Sequence, residues 1–245
     1  MKAMIFAAGF GSRLKPITNN IPKALVKFRG KTLLEYAIEK LKHYSVDEII
    51  VNVHHFSQQI KDFISSHDFG IPIYISDETS LLRNTGGGLV HAQQYLQGDS
   101  PFFVYNVDII STINLHDLLE FHMKHDALIT LAVKERETSR YLLFDDNMEL
   151  SAWENRVTNE HKIAKFSDNY IPFAFSGIQI VNPEIFELIN ETGCFSIMDL
   201  YLRLAQHNSI KAYNHTEDFW LDVGKFNEIK SVEKQLATQD LEFTQ

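Results

Sequence analysis

The 245-residue sequence contains a single cysteine, Cys194, and no long uninterrupted apolar segment. One thiol cannot form an internal disulfide, and a lone cysteine is typically a small buried side chain of a protein in a reducing compartment. No run approaches the roughly 18 apolar residues that a membrane-spanning helix needs, and the apolar start is broken at Gly9 without a signal-cleavage region. We therefore expect a cytoplasmic protein with no membrane partner.

Positive charge is also scarce, because 23 Lys and Arg residues accompany 32 Asp and Glu residues and give a net charge of -9. Such a balance does not predict the basic surface that a nucleic-acid partner requires. The cations are unevenly distributed, however, and a group of them precedes the first acidic residue: Lys2, Arg13, Lys15, Lys23, Lys27, Arg29 and Lys31. A basic opening in an acidic chain predicts a local site for a polyanion. The sequence indicates no particular oligomeric state.

Two glycines, Gly9 and Gly11, follow the first apolar run. A glycine-rich loop after a strand exposes backbone N–H groups that suit phosphate oxygens, and flanking Arg and Lys side chains are the usual partners of phosphate. Leu14 stands where the dinucleotide fingerprint has its third glycine, and no Gly-Lys-Ser/Thr follows, so neither common phosphate loop is present. By itself the pattern is more typical of an ordinary tight turn than of a phosphate site.

Alternating apolar runs and amphipathic segments predict a doubly wound α/β fold in the first half of the chain. The predicted strands cover residues 3–6, 48–53, 71–75 and 101–108, and helices are expected after caps at Thr32, Ser57 and Asn114 and over 89–96. From residue 127 the pattern becomes β-rich, with strands expected over 127–133, 141–153 (a hairpin), 163–166, 173–181 and 219–224, and helices over 183–189, 196–205 and 225–236. We expect one domain, 1–245, made of the halves 1–126 and 127–245.

Two carboxylates are predicted at the carboxyl ends of strands, where ligands of α/β sheets bind. Asp108 ends one apolar run and Asp222 ends another. A carboxylate in such a place needs solvent, a partner or a metal, so Asp108 is a candidate Mg²⁺ ligand or a helix cap. Three consecutive glycines, Gly86 to Gly88, precede a predicted helix, and we interpret them as a wall for a flat group such as a base in preference to a flexible linker.

Taken in order, these pieces resemble the sugar-1-phosphate nucleotidyltransferase family over nearly the whole chain. The matching segments are Gly9-Phe-Gly-Ser-Arg13, Pro22-Lys23, Thr85-Gly-Gly-Gly88, Asp108, Phe175-Ser-Gly177 and Trp220-Leu-Asp-Val-Gly224. The resemblance implies a Rossmann-like, GT-A-like fold with a doubly wound, mostly parallel mixed sheet and a small C-terminal β-rich sugar-binding portion. Residues 1–126 would mainly bind the nucleotide, and residues 127–245 would mainly bind the sugar phosphate.

The resemblance also implies roles for single residues and a Mg²⁺ cofactor. The residues implied in catalysis are Arg13, Lys23, Asp108 and Asp222, of which Asp108 and Asp222 would bind the metal. Those implied in nucleotide binding are Ala8, Gly9, Gly11, Ser12, Arg13, Lys23, Thr85, Gly86 and Gly87. Those implied in substrate binding are Asn106, Ser176, Gly177 and Asp199. The chain departs from the family pattern at Val107, where glycine is usual, and at Asn84, where the nearest relatives often have glutamate.

The implied substrates are a nucleoside triphosphate and a sugar 1-phosphate. The chain most resembles the N-acetylmuramate-1-phosphate uridylyltransferases of the family, and we expect UTP, because backbone groups of a glycine loop can pair with a pyrimidine edge. Guanine would call for an added carboxylate, which Asn84 does not supply. Three alternatives stay open: GTP with mannose or heptose 1-phosphate, a non-catalytic nucleotide-sugar-binding regulator, and a phosphocholine-type cytidylyltransferase with an aromatic cage of Trp153, Tyr170, Phe173 and Phe175.

Overall fold

The computed structural model describes residues 1–224, and a ten-stranded mixed sheet forms its centre. The strands of the first half are β1 (Lys2–Phe6), β2 (Lys27–Phe28), β3 (Lys31–Thr32), β4 (Glu48–Val53), β5 (Ile73–Asp77), β6 (Phe102–Asn106) and β7 (Ile109–Ser111). The helices of this half are α1 (Leu33–His43), α2 (Ser57–Ser65), α3 (Asn84–His91), α4 (Gln93–Leu96) and α5 (Leu115–His125). Strands β6, β1, β4 and β5 lie side by side in parallel, which confirms the predicted doubly wound arrangement.

The second half extends the sheet from the edge formed by β6, mostly by antiparallel pairing. Its strands are β8 (Ile129–Lys134), β9 (Arg140–Phe144), β10 (Leu150–Asn155), β11 (Glu160–Ile163), β12 (Ile171–Val181), β13 (Ile210–Asn214) and β14 (Trp220–Asp222). Its helices are α6 (Ile185–Leu188) and α7 (Ile197–Leu204). The long strand β12 pairs with β6, β8 and β9 and so joins the parallel part to the β-rich part. Strand β13 runs parallel to β8.

Side chains of each central strand alternate between two buried apolar layers. In β1, Ile5 faces the layer that contains α1 and α5, and Met4 faces the layer that contains α3 and α7. Strand side chains alternate with a period of two, so an unbroken apolar run is buried on both faces. The glycine loop follows the carboxyl end of β1, and Asp108 follows the carboxyl end of β6. Because these strands are parallel neighbours, both segments lie at the same edge of the sheet.

Local sequence signals predicted the starts of α1 and α5. Thr32 and Glu35 form the predicted capping box of α1, and the Asn114 side chain accepts hydrogen bonds from the first turn of α5. The predicted cap at Ser57 is wrong, because α2 begins at Ser57 and is preceded by Phe56 in the left-handed region without a side-chain cap. The strand predicted over 163–166 is also displaced. In the structure β11 covers Glu160–Ile163, because a tight turn after β10 brings this segment into antiparallel pairing with β10.

Three other expectations differ from the structure or lie outside it. The helix predicted over 89–96 begins earlier, at Asn84, and includes the three glycines. Cys194 is exposed, not buried. The helix predicted over 225–236 lies outside the described residues. Within the described part of the chain, no helix has the length and apolar character needed to cross a bilayer.

Candidate functional site

A short antiparallel ladder places the two predicted metal carboxylates side by side. Asp222 pairs with Ile109 in the ladder between β14 and β7, and the Val223 N–H donates to the Asp108 carbonyl oxygen at 2.9 Å. Because Ile109 follows Asp108 directly, this pairing brings Asp222 to Asp108. Strand β7 was not predicted, because its three residues carry too little periodicity to detect.

Each carboxylate faces one of the two predicted phosphate cations. Lys23 Nζ contacts Asp108 Oδ2, and both side chains are largely buried. Arg13 Nη1 lies 3.6 Å from Asp222 Oδ2, and its side chain is 57% exposed. The four residues predicted to be catalytic therefore form one cluster of alternating charge at the end of β6.

Burial disfavours ionisation of both carboxyl groups, but their surroundings differ. Burial and the negative charge of Asp108 raise the pKa of Asp222. Burial also opposes ionisation of Asp108, but the Lys23 ammonium and a hydrogen bond from Asp222 hold the pKa of Asp108 below its ordinary value. Paired carboxylate oxygens suit Mg²⁺, which proteins usually hold through one or two carboxylates together with substrate phosphates. Asp108 and Asp222 thus fit the predicted metal.

Two glycines leave room for this cluster. A Cβ on Gly224 would lie 2.5 Å from Asp222 Oδ1 and 2.9 Å from Arg13 Nη2, so any side chain there would displace the charged groups. Gly11 has a φ of 63°, and a Cβ there would lie 2.9 Å from Thr18 Cγ2. The Thr18 hydroxyl donates to the Gly11 carbonyl oxygen at 2.8 Å and holds the loop closed. Thr18 was not predicted as part of the site.

A buried amide–carboxylate pair, Asn52 and Glu78, supports the glycine loop from below. Asn52 Oδ1 accepts hydrogen bonds from the N–H groups of Ala7 at 2.7 Å and Ala8 at 3.3 Å. Asn52 Nδ2 donates to Glu78 Oε1 at 2.8 Å, and Glu78 Oε2 accepts from the Arg83 N–H at 3.2 Å. Asn52 is 3% exposed and Glu78 is 1% exposed. The pair therefore links the first loop to the start of α3.

The sequence analysis missed this pair. Its one signal was a polar residue, Asn52, inside the otherwise apolar run of β4. A polar side chain in a central strand needs hydrogen-bond partners, and here those partners are main-chain groups of a loop. Above the pair, Gly9 and Ser12 are exposed and Ala8 is buried.

The three glycines of α3 pack against the protein itself. A Cβ on Gly86 would lie 2.3 Å from the Phe195 ring, and one on Gly87 would lie 2.1 Å from the Gly193 carbonyl oxygen. The Gly86 N–H already donates to the Phe195 carbonyl oxygen at 3.0 Å. The close approach that the glycines allow thus includes an approach of α3 to residues 193–195, and the three glycines lie within a helix and not in a loop before it. Nucleotide binding by Gly86, Gly87 and their neighbour Thr85 stays a prediction.

The residues predicted to contact the sugar lie in two places. Gly177 has a φ of 76°, and a Cβ there would lie 2.7 Å from Asn106 Nδ2, so these two predicted residues are in contact at the end of β6. Ser176 is fully buried, and its hydroxyl is 2.7 Å from Nε2 of His215. The Ser176 carbonyl oxygen accepts from Trp220 Nε1 at 2.8 Å. The Ser176 hydroxyl is therefore directed into the protein, and substrate binding by Asn106, Ser176 and Gly177 stays a prediction.

Asp199 lies at a separate cavity of about 280 Å³ between α7 and the sheet. Its Oδ1 atom accepts from Lys162 Nζ at 2.8 Å. Of the four aromatic residues considered for a choline cage, Trp153 and Phe175 line this cavity, whereas Phe173 is buried in the core and Tyr170 packs elsewhere. The structure therefore does not assemble the four-residue cage.

A larger cavity, of about 590 Å³, lies away from the charged cluster. It is lined by residues that precede β6, such as Pro101, and by residues that follow β12, such as Pro183. These positions mark the edge of the sheet opposite to Asp108. Size alone therefore does not identify the site in this molecule.

A protein-family model and individual relatives each match most of this chain. A family model described as nucleotidyl transferase matches residues 2–239. Mannose-1-phosphate guanyltransferase 2 of Candida glabrata is 31% identical over 92% of this chain, which spans 62% of that protein. N-acetylmuramate alpha-1-phosphate uridylyltransferase of Caulobacter vibrioides is 30% identical over 96% of both chains.

Solved structures share the fold at lower identity. HddC from Yersinia pseudotuberculosis superposes with a TM-score of 0.75 at 21% identity, covering 96% of this chain and 99% of that one. A UDP-glucose pyrophosphorylase complexed with UDP-glucose superposes with a TM-score of 0.77 at 19% identity, covering 97% and 98% of the two chains. These likenesses confirm the predicted fold class.

Proposed function

Since this chain belongs to the nucleotidyl transferase family, we propose that it transfers a nucleoside monophosphate from a nucleoside triphosphate to a sugar 1-phosphate. The products are pyrophosphate and a nucleoside diphosphate sugar. The observation that carries this proposal is the cluster of Arg13, Lys23, Asp108 and Asp222 at the end of β6, beside a glycine loop. A non-catalytic regulator would have no need to keep all four charged groups in contact.

The attacking group belongs to the substrate. A sugar 1-phosphate is largely dianionic at neutral pH, since the second phosphate pKa is about 6, so its oxygen needs no general base. Ser176 and His215 are hydrogen-bonded like a nucleophile and its base, but Ser176 is fully buried and out of reach of a substrate. We infer in-line attack without a covalent enzyme intermediate.

The task of the protein is to bring two polyanions together and to stabilise charge at the α-phosphate. The exposed guanidinium of Arg13 offers two parallel donors to phosphate oxygens, and the Lys23 ammonium adds a point charge deeper in the site. Asp108 and Asp222 would hold Mg²⁺, which neutralises charge on phosphate oxygens during transfer. Preorganised charge of this kind is the main source of catalysis in phosphoryl transfer.

UTP is the proposed donor and N-acetylmuramate 1-phosphate the proposed acceptor. The uridylyltransferase of Caulobacter vibrioides, which this chain matches over nearly the whole length of both, supports this pair. GTP with mannose 1-phosphate is the second candidate, because the guanyltransferases of Candida glabrata and of rice are 31% and 33% identical to this chain. This chain spans 62% of the length of either guanyltransferase.

A matrix of substrates tests the proposal. UTP, dTTP, GTP, CTP and ATP are each combined with a panel of sugar 1-phosphates, and pyrophosphate release is measured with and without Mg²⁺. We expect Mg²⁺-dependent release that is highest with UTP, and lower release with dTTP, since a pocket seldom rejects one methyl group by more than about 1–3 kcal/mol. A tenfold preference for GTP or CTP with every sugar would contradict UTP as the donor but would not contradict the reaction class. No release with any pair would contradict the reaction class.

A further inference from the structure

The cavity beside α7 has one charged wall formed by three strands. Leu142 of β9, Trp153 of β10 and Lys162 of β11 are direct neighbours across the ladder and so share one face. Arg140 lies two residues before Leu142 and is on the same face, because side chains alternate along a strand. All four residues line the cavity, opposite the first turn of α7.

The two cations of this wall differ in their partners. Lys162 is neutralised, since its ammonium lies 2.8 Å from Asp199 Oδ1 and 3.6 Å from Glu160 Oε1. These carboxylates raise the pKa of Lys162. The Arg140 guanidinium, in contrast, forms no ion pair among the residues that the structure describes. The cavity therefore presents one uncompensated planar cation.

Strand β12 connects the cavity to the end of β6. Phe175 lines the cavity, and Gly177, two residues further along the strand, contacts Asn106 at the end of β6. Two residues of chain span at most about 7 Å, so the near end of the cavity lies within the length of one sugar from the end of β6. A sugar whose 1-phosphate lies at the cluster can thus place its far side in the cavity.

We propose that Arg140 determines acceptor specificity by binding a second acidic group of the sugar, such as a carboxylate. This inference rests on the proposed transfer to a sugar 1-phosphate. A guanidinium matches a carboxylate through two parallel hydrogen bonds, whereas a neutral hexose offers no group that requires it. The Lys162 ammonium lies 5.3 Å from the centre of the Trp153 ring, so a cationic acceptor of the choline type would meet a resident positive charge.

Two acceptors that differ in one group test the proposal. N-acetylmuramate 1-phosphate and N-acetylglucosamine 1-phosphate differ only by the lactyl ether with its carboxylate, and a hexose 1,6-bisphosphate provides a second phosphate instead. We expect kcat/KM of the wild type to favour an acidic sugar about 10- to 100-fold, which is typical for hydrogen bonds to a charged group. Arg140→Met should remove this preference and leave turnover of the neutral sugar unchanged.

Arg156→Met is the matched control, because Arg156 follows β10, pairs with Glu154 and stacks on Tyr141 of the other sheet face. This variant should keep the wild-type preference. Arg140→Lys should restore only part of the preference, since an ammonium cannot make both hydrogen bonds. Calorimetric binding of each sugar, with a non-hydrolysable triphosphate present, gives a readout that does not depend on turnover.

The outcomes separate this inference from the proposed function. If the wild type uses neutral and acidic sugars equally, or if Arg140→Met keeps the preference for the acidic sugar, the role of Arg140 is wrong and the reaction class stands. A preference for the bisphosphate that Arg140→Met abolishes supports the anion site and identifies a phosphate as its ligand. Absence of both turnover and binding with every sugar would overturn the role of Arg140 together with the proposed function.

Discussion

The two sides of the charged cluster rest on different buried hydrogen-bonded pairs. On the side of the glycine loop, Asn52 and Glu78 bind the main-chain N–H groups of Ala7, Ala8 and Arg83. On the side of the sugar residues, the imidazole of His215 binds the Ser176 hydroxyl. Both pairs join segments that are far apart in sequence, and both are almost fully buried.

The difference lies in charge and in what each pair holds. The first pair fixes three backbone amides, those of Ala7 and Ala8 in the loop and that of Arg83 before α3. The second pair fixes the bulge of β12 at Gly177, and the carbonyl of Ser176 in turn holds the Trp220 indole two residues before Asp222. We therefore predict that the first pair affects binding of the nucleotide and the second pair binding of the sugar 1-phosphate. We also predict that their contributions to stability depend differently on pH.

The largest effect on turnover is expected at Asp108 and Asp222, which lie between the two pairs. Replacing either residue by Asn removes a charge that would hold Mg²⁺, and the loss of several kcal/mol in the transition state predicts turnover lowered on the order of 10³-fold. The fold should persist in both variants, as circular dichroism and urea unfolding can show. Asp222→Asn should unfold at the same or a higher urea concentration, because it relieves repulsion from Asp108.

Asp108→Asn serves as the counterpart, since it leaves Lys23 without its partner and should lower stability. Near-normal turnover of either variant at saturating Mg²⁺ would remove that carboxylate from the mechanism.

Arg13→Ala should lower kcat/KM by about 10²-fold, which is typical for the loss of a preorganised donor at developing charge. Arg13→Lys should recover little of this loss, because a point charge does not replace the planar guanidinium. Lys15→Ala removes a neighbouring exposed cation of the same loop and should change kcat/KM little. Full activity of Arg13→Lys would show that only charge is needed at this position.

Glu78→Gln tests the support on the nucleotide side. The amide cannot accept from both Asn52 and the Arg83 N–H as the carboxylate does, and a lost hydrogen bond to a charged group predicts KM for the nucleotide raised about tenfold. KM for the sugar 1-phosphate should stay within about twofold. Glu39→Gln, which breaks an exposed ion pair with Lys31, is the control with the same chemistry. A change in KM for the sugar 1-phosphate alone would contradict the assignment of this pair to the nucleotide side.

His215→Gln tests the support on the sugar side. Loss of the hydrogen bond to Ser176 should loosen the bulge at Gly177 and raise KM for the sugar 1-phosphate several-fold, a smaller change than that expected for the charged pair. KM for the nucleotide should not change. His125→Gln, at an exposed histidine of α5, is the control. A shift in the nucleotide KM alone would reverse the proposed division between the two pairs.

The difference in stability between the wild type and His215→Gln should depend on pH. Burial, together with the charges of Lys134 and Arg136, lowers the pKa of His215 from 6.5 to about 4, although Asp218 Oδ2 lies 3.7 Å from its Nδ1 atom. Only the unfolded chain then binds a proton between these values, so folded wild type loses stability as the pH falls from 6.5 to 4, on the order of 3 kcal/mol in all. Gln does not titrate, so the stability deficit of the variant at pH 8 should narrow over this window. A constant deficit would contradict a neutral buried His215.

The sequence predicted the parts of the site that lie next to local signals. Arg13, Lys23 and Asp108 follow glycines, a proline or an apolar run, and the ordered motifs indicated Asp222. The supports could not be predicted, because Asn52, Glu78 and His215 have their partners in other elements, and a three-residue strand such as β7 carries too little pattern. The packing of Gly86 to Gly88 against residues 193–195 could not be predicted either, because that contact joins segments far apart in sequence.

That stretch has a consequence for how related sequences should be compared. At Gly86, Gly87 and Gly88 an added methyl group would collide with Phe195, with the carbonyl of Gly193 and with Glu78 respectively. Natural variation at these three positions is therefore restricted by the interior of the molecule, whichever base or sugar a given relative uses. An alignment that finds these glycines unchanged would report how α3 is packed, and positions that vary with the nucleotide donor must be sought among solvent-facing residues.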